Sequence, residues 1–544
     1  MEGIADYLDS LIGGVDLAFY SMAIGGLLWT LLLLRPWQKL RVYTDALIDK
    51  SINLTYFGAY ALIISQVLKI VLKIWLMTAT LERWPFPAFA ETMQFQAGLV
   101  RAVFALGLTV FIRYSLKTHK YSQKHWLIAA AIAAPLVISS AWLVHGASRL
   151  EDRRLLMTLS VFHQLGAAVW VGGIFQLLAL WGLTKRKQIA ADLWPELLRK
   201  FSKLGMAAVA LLVATGLPVA FYYIDTWHGF IGSGYGNLLL VKILTLTLAL
   251  GFAWLNRKTA RDYFVTRNGH ALMYRVPYYI EVETLILIAV LFTAASLASQ
   301  PPAVDIPHLT ASLQEVLNTF APRMPRYTSP SHEALLAGEA GRVAIVGQIP
   351  SPAATEWSDY NHNISGIFLT VMSFFAMLSY SARVHNWAKF WPVGFVLLGI
   401  FLFFRSDAES WPLGPIGFWE STFNNGEILQ HRLATLLVFM LGIMEVKTRM
   451  ENSTTGTLPF VFPILAAFGG LMLLAHSHVG FQPKTTFLIQ VGHTLMGVFS
   501  LILACGRWLE LKLDSPGKNI AGFIAVFALF QIGLILMFYR EPLY

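Results

Sequence analysis

Asn519-Ile-Ala-Gly-Phe-Ile-Ala-Val-Phe-Ala-Leu-Phe-Gln-Ile-Gly-Leu-Ile-Leu-Met-Phe-Tyr539 runs for 21 residues without a charged side chain. At a rise of about 1.5 Å per residue, some 20 residues of helix cross the ~30 Å of hydrocarbon in a bilayer. A helix from a soluble core would show a shorter apolar run with a polar face. The stretch reads as a membrane span.

It is one of about fourteen that hydropathy windows pick out. In the first half they cover roughly 16–34, 52–77, 95–113, 126–144, 159–183, 203–224, 238–256 and 279–299. In the second half they cover roughly 362–381, 387–404, 428–447, 459–475, 485–505 and 519–539. The predicted fold class is therefore an all-α integral membrane protein. Composition agrees: of 544 residues, 56% are hydrophobic and only 13% charged, where a soluble domain carries about a quarter charged. The single cysteine, Cys505, excludes a disulfide framework and any CxxC motif.

The net charge of +10 does not point to nucleic acid, because the basic residues sit in short loops between apolar runs. Alternate loops are basic, from Arg35, Lys39, Arg41 and Lys50 through to Arg507, Lys512 and Lys518. That set holds about twenty-six Lys and Arg against about ten in the intervening loops, which places it in the cytoplasm and both termini outside. The first twenty residues hold Glu2, Asp6, Asp9 and Asp16 and no Lys or Arg, the opposite of a signal peptide's basic start.

One natural boundary breaks the series. Residues 303–361 carry Pro307, Pro322, Pro325, Pro330, Pro350 and Pro352, and read as an external, partly ordered linker too short for a catalytic domain. The predicted organisation is four spans over 1–158, four over 159–302, the linker, and six spans over 362–544.

The fourteen histidines are distributed unevenly against this topology. His119, His125, His270 and His385 fall in cytoplasmic loops, and His308 and His332 in the linker. Eight fall at or near the outer ends of spans: His145, His163, His228, His362, His431, His476, His478 and His493. A lone interfacial histidine is more often hydrogen-bonded than a ligand, and His145, His228 and His385 are read that way. His431, His476, His478 and His493 are read as metal ligands. His493 lies roughly 12 Å along its span, where a polar side chain is expensive unless it has a function.

Carboxylates accompany them: Asp407, Glu409 and Glu420 precede the eleventh span, and Asp359 lies three residues before His362. Imidazole with carboxylate suits copper, zinc, iron or nickel. Met472 and Met496, at helical spacing from His476 and His493, would add soft ligands for Cu(I). Other polar residues within spans are expected to be neutralised or to snorkel. Lys69 and Lys73 reach for the interface, Arg101 pairs with Glu91 or lipid, and Arg257 neutralises Glu281 or Glu283.

Several stretches resemble the copper-resistance D family. His163-Gln-Leu-Gly-Ala-Ala-Val-Trp170-Val-Gly172-Gly173 resembles the helix that opens the family's domain. Phe201-Ser202 with Ala-Thr-Gly216, Tyr235-Gly236-Asn237 with Lys242 and Leu255-Asn256-Arg257, and Glu283 followed by Ser299-Gln300-Pro301-Pro302 resemble the helices after it. The second half resembles the extension of long members. The stretches are Trp357-Ser-Asp-Tyr-Asn-His362, Trp411-Pro-Leu-Gly-Pro-Ile-Gly-Phe-Trp-Glu420-Ser421, Leu429-Gln-His431-Arg432 and His476-Ser-His478.

The resemblance implies a bacterial inner-membrane protein of copper uptake or supply, often working with a small periplasmic copper carrier. It implies copper as the metal, with His362, Glu420, His431, His476, His478 and His493 as ligands. His163, carried over from the domain itself, would form a separate outer site. No phosphate loop is present, so the expected function is copper import or acceptance without ATP, and no enzyme activity. Two other readings use the same histidines. One is a membrane redox protein holding haem or reducing copper, for which paired histidines near both faces are expected. The other is a scaffold that delivers copper to an external cuproenzyme.

Overall fold

A computed structural model describes residues 2–34, 45–118, 122–190, 192–266, 269–339, 351–380, 386–451, 456–475 and 483–542. Among them fourteen helices are long and apolar enough to cross a membrane. The first eight are α1 Tyr7–Leu34, α2 Asp45–Thr78, α3 Met93–Thr118, α4 Lys124–Leu143, α5 Arg153–Lys185, α6 Leu193–Tyr223, α7 Gly234–Thr266 and α8 Val276–Asp305. The last six are α9 Pro352–Leu378, α10 Trp387–Arg405, α11 Gly426–Met450, α12 Leu458–Ala475, α13 Pro483–Lys512 and α14 Gly517–Met537. No strand occurs among the described residues; Ser410 and Ile416 form an isolated bridge. Backbone polar groups inside hydrocarbon must bond within their own segment, which is why apolar runs of this length become helices.

Each expected span has its helix, and several helices are longer than their apolar cores. The largest difference is at α9. Ser351 caps its first turn by accepting from the Ala354 amide, and Pro352 follows in the helix's first turn, where a missing N–H costs nothing. The last ten residues of the expected linker are thus helical, and His362 lies ten residues inside α9 rather than at its start. Earlier in that segment, Ser312 and Glu315 form a capping box for the short helix Leu313–Thr319.

The chain divides into two compact units. One holds residues 9–223 and 245–299. In it α5 packs on α1, α2 and α6, and at Gly172 an added Cβ would lie 2.7 Å from the Cα of Gly25. Small residues let two backbones approach this closely where no hydrophobic effect drives helices together. Two charged pairs are formed within the unit. Arg101 meets Asp16 at 2.9 Å rather than Glu91, with Ser65 and Gln66 also donating to that carboxylate. Lys73 reaches Asp9 at 3.3 Å.

The other unit holds residues 1–8, 224–244 and 300–544. Here α14 packs along both α9 and α13, α13 on α12, and α10 on α11. Ala311, Phe487, Leu488 and Val491 form one buried apolar cluster, and Leu335, Trp357 and Ala408 another. These clusters fix the helix ends that carry the histidines.

A histidine cluster at one end of the second unit

His362 of α9 and His493 of α13 meet edge to face, with ring centroids 6.0 Å apart. Tyr539, just past α14, stacks on His362 at 4.1 Å and stands 6.2 Å from the His493 ring. His431, in the second turn of α11, lies within electrostatic range of both imidazoles. α9 and α13, far apart in sequence, thus bring two histidines into contact, with a third on α11 close enough to interact with them electrostatically.

Each ring is held through Nδ1. In His362 this nitrogen lies 2.8 Å from the Ser358 carbonyl, and in His493 2.9 Å from the Ile489 carbonyl. A carbonyl only accepts, so each Nδ1 carries the proton and each Nε2 the lone pair. In His431 Nδ1 lies 2.8 Å from Asp407 Oδ1. Metal-binding histidines are commonly oriented this way, donating one nitrogen to a carbonyl or carboxylate and keeping the other for the metal.

The Asp407 carboxylate has its own support. Arg405, two residues earlier, stacks its guanidinium on Trp357 at 3.6 Å. The Arg405 carbonyl accepts from Trp357 Nε1 at 3.1 Å and from Asn361 Nδ2 at 2.5 Å. Ser406 Oγ donates to the second Asp407 oxygen at 2.8 Å. Trp357 and Asn361 lie on one face of α9, since residues four apart are neighbours there, and His362 lies about 100° round the helix from Asn361. A single helix therefore presents one imidazole and, from an adjacent face, holds the backbone next to the carboxylate that meets another.

Neighbouring polar side chains lock α13 and α14. Asn237 Nδ2 donates to Thr494 Oγ1 at 2.9 Å, beside His493. Asn363, fully buried, donates to the carbonyls of Leu536 and Tyr539 at 3.2 and 2.9 Å, satisfying the end of α14. Asp359 faces this chain end instead of His362: its Oδ1 accepts from the Glu541 amide at 2.8 Å, and Arg540 and Arg326 lie within 3.8 Å of its other oxygen. The Glu541 carboxylate accepts from Ser358 Oγ at 2.6 Å. Burial pushes that carboxyl up to about 7 and the Tyr539 hydroxyl well above its usual value, with Glu541 beside it adding to the effect.

The other expected ligands stand elsewhere. Glu420 is exposed on the short helix Phe418–Asn424, and the carboxylate brought to His431 is Asp407. His476 and His478 lie outside the described residues. His163 belongs to the first unit, where its Nδ1 lies 3.0 Å from Thr215 Oγ1 and its ring rests against Gly216. Among the described residues no group of three or more His, Cys, Asp or Glu is arranged to hold a metal ion. The described part is a pair of oriented imidazoles with a third near them. Sequence reasoning missed the role of Ser358, one turn before His362 on α9, and of Tyr539 and Glu541, which come to the cluster through packing of α14 on α9.

Residues 195–297 match the family model described as Copper resistance protein D, within the stretch whose motifs resemble that family. A similar curated protein is the copper transport protein CutJ of Bacillus subtilis (strain 168), 25% identical over 245 residues. The similarity covers 43% of this chain and 43% of that protein's length. No solved structure matches the chain. The chain is a multi-pass membrane protein whose residues 195–297 match the copper-resistance D model and which is similar in part to a copper transport protein.

Proposed function

We propose that this chain takes copper from the outer side of a bacterial inner membrane and moves it inward, and that it is a transporter rather than an enzyme. The observation that carries this reading is the shared orientation of two imidazoles with a third beside them. His362 and His493 each spend Nδ1 on a backbone carbonyl, which leaves their Nε2 lone pairs as donors for a soft or borderline cation, and Asp407 holds the His431 ring near them. His476 and His478, which follow α12 in the sequence, are proposed to complete the ligand set. The loop charges put this end outside, with both termini on the same side. A small periplasmic copper carrier is the proposed donor, handing copper to an entry site roofed by Tyr539.

His163 is proposed as a weaker, separate contact for copper in the first unit. A redox role gains no comparable support, because the span histidines gather at one end and a transmembrane electron path needs cofactors near both faces.

The deciding experiment is copper uptake into proteoliposomes containing the full chain. Uptake that falls to background in His362→Ala with His493→Ala supports import. Copper bound at unchanged stoichiometry by that double variant overturns the site. Copper that binds tightly but never enters the vesicle lumen favours delivery to an external cuproenzyme.

A further inference from the structure

Deep in the first unit, a carboxyl group sits among neutral partners. Glu283 of α8 is 1% exposed and lies about 10 Å along its helix from Val276. Trp170 Nε1 of α5 donates to its Oε1 at 3.0 Å. Asn256 Nδ2 of α7 donates to its Oε2 at 2.8 Å. Arg257, the cation expected to neutralise it, turns instead to the thioether of Met206. Among the described residues no ion pair includes Glu283, and the groups of α5 and α7 that face its carboxyl are the neutral Trp170 and Asn256. Glu281, two residues away, is on a different side of the same helix.

An ionised carboxylate at this depth is costly unless a cation balances it. Two neutral donors do not supply that balance. A second observation concerns Asn256, whose Oδ1 is buried and has no hydrogen-bond partner. An amide turned over by half a turn would present that oxygen to Glu283 Oε2, where it would accept from a carboxylic O–H. Trp170 can only donate, so it suits Oε1 as a carbonyl oxygen in either state. The asymmetry is what a carboxyl that gains and loses a proton requires: one fixed donor and one partner able to donate or accept.

We propose that Glu283, with Trp170 and Asn256 as positioning residues, is a proton-binding site inside the membrane whose occupancy is linked to copper movement. The linkage rests on the import reading above; the proton site does not. In the binding step a hydronium ion gives its proton to Oε2 and leaves as water, the new O–H bond neutralises the carboxylate, and Asn256 turns from donor to acceptor. Release reverses each change.

Infrared difference spectra of the full chain in liposomes, recorded across a pH titration, test the site. Wild type should show a carboxylic C=O band that is absent in Glu283→Gln and retained at a shifted frequency in Glu283→Asp. Asn256→Ala should also shift it, an effect a merely structural asparagine would not produce. Identical titration spectra for wild type and Glu283→Gln overturn the proposal, and the Asp variant decides it if the Gln variant does not fold. Copper uptake should change several-fold when a pH gradient is imposed on wild-type vesicles and not in Glu283→Gln; uptake indifferent to the gradient overturns the linkage. Vesicles that take up no copper while the Glu283 band is present sink the import reading and leave the proton site supported.

Discussion

His362 and Tyr539 stack with ring centroids 4.1 Å apart, so a residue beyond the last span roofs an imidazole of α9. The contact exists because α9 carries Gly366 one turn further along. A Cβ there would fall 2.5 Å from the Met537 Cα and 2.6 Å from the Leu536 carbonyl carbon. Without it the end of α14 reaches the α9 backbone, and Tyr539 arrives over His362.

Gly366→Leu is therefore expected to lift the end of α14 from α9. Overpacking of this kind costs about 1–3 kcal/mol. It should lower the thermal unfolding midpoint in detergent and weaken copper binding together. Unchanged copper affinity in a destabilised Gly366→Leu protein would show that the Tyr539 roof is irrelevant to the metal.

Asp407→Asn keeps the shape beside His431 but removes the charge that orients its ring. Loss of such a supporting carboxylate typically lowers metal affinity about 10–100-fold. Competition with a copper chelator should show a loss in that range, whereas Glu420→Gln, at an exposed site, should leave affinity unchanged.

Arg101→Ala is expected to leave Asp16 as an unpaired buried charge, a loss of about 3–5 kcal/mol. Asp16→Asn with Arg101→Gln should cost less, because neither partner is then stranded. Thermal unfolding of the three proteins measures the difference, and equal losses for the single and double variants would contradict a paired charge.

Docking of the chain end around Glu541 should weaken as pH rises. Its carboxyl moves from an ordinary 4.5 to about 7 when docked, burial being the main cause. Between those values the docked form holds the extra proton, so docking is strongest below about pH 4.5 and weakens until the pH passes 7. Hydrogen exchange at the Glu541 amide should follow that course, and Glu541→Gln should flatten it.

Glu315 carries the opposite sign. Its salt bridge to Lys484 at 2.5 Å and the hydrogen bonds from Ser312 hold its carboxyl down at about 2. The helix Leu313–Thr319 should be firmly docked above the ordinary value of 4.5 and loosen as pH falls toward 2. The pair is partly exposed, so the effect is modest and screened by salt. Exchange of the 313–319 amides with falling pH, at low and high salt, checks both statements.

The fourteen spans were legible because membrane insertion imposes one requirement, a long apolar run, that a window average detects. The start of α9 was not, because Pro352–Asn361 is polar and lowers any hydropathy window although Ser351 caps a helix there. That His362, His431 and His493 fall toward the same ends of their spans was legible, since charged loops sort helix ends by side. Their supporting residues were not. Asp407 meets His431 across 24 residues and Glu541 meets Ser358 across 183, separations that no local spacing rule reaches. Asn256 and Arg257 show the same limit at finer scale. Adjacent residues on a helix point about 100° apart, and only packing decided that the amide, not the guanidinium, faces Glu283.

The tie between the Glu541 amide and Asp359 also bears on how the protein is handled at the bench. An oligohistidine tag fused beyond Glu541 would begin only a few residues after Tyr539 in the sequence. It would offer a string of competing imidazoles beside the proposed entry site, so copper stoichiometries measured on such a fusion would report the tag as well as the protein. A tag of different chemistry, or one removed before titration, keeps the two apart.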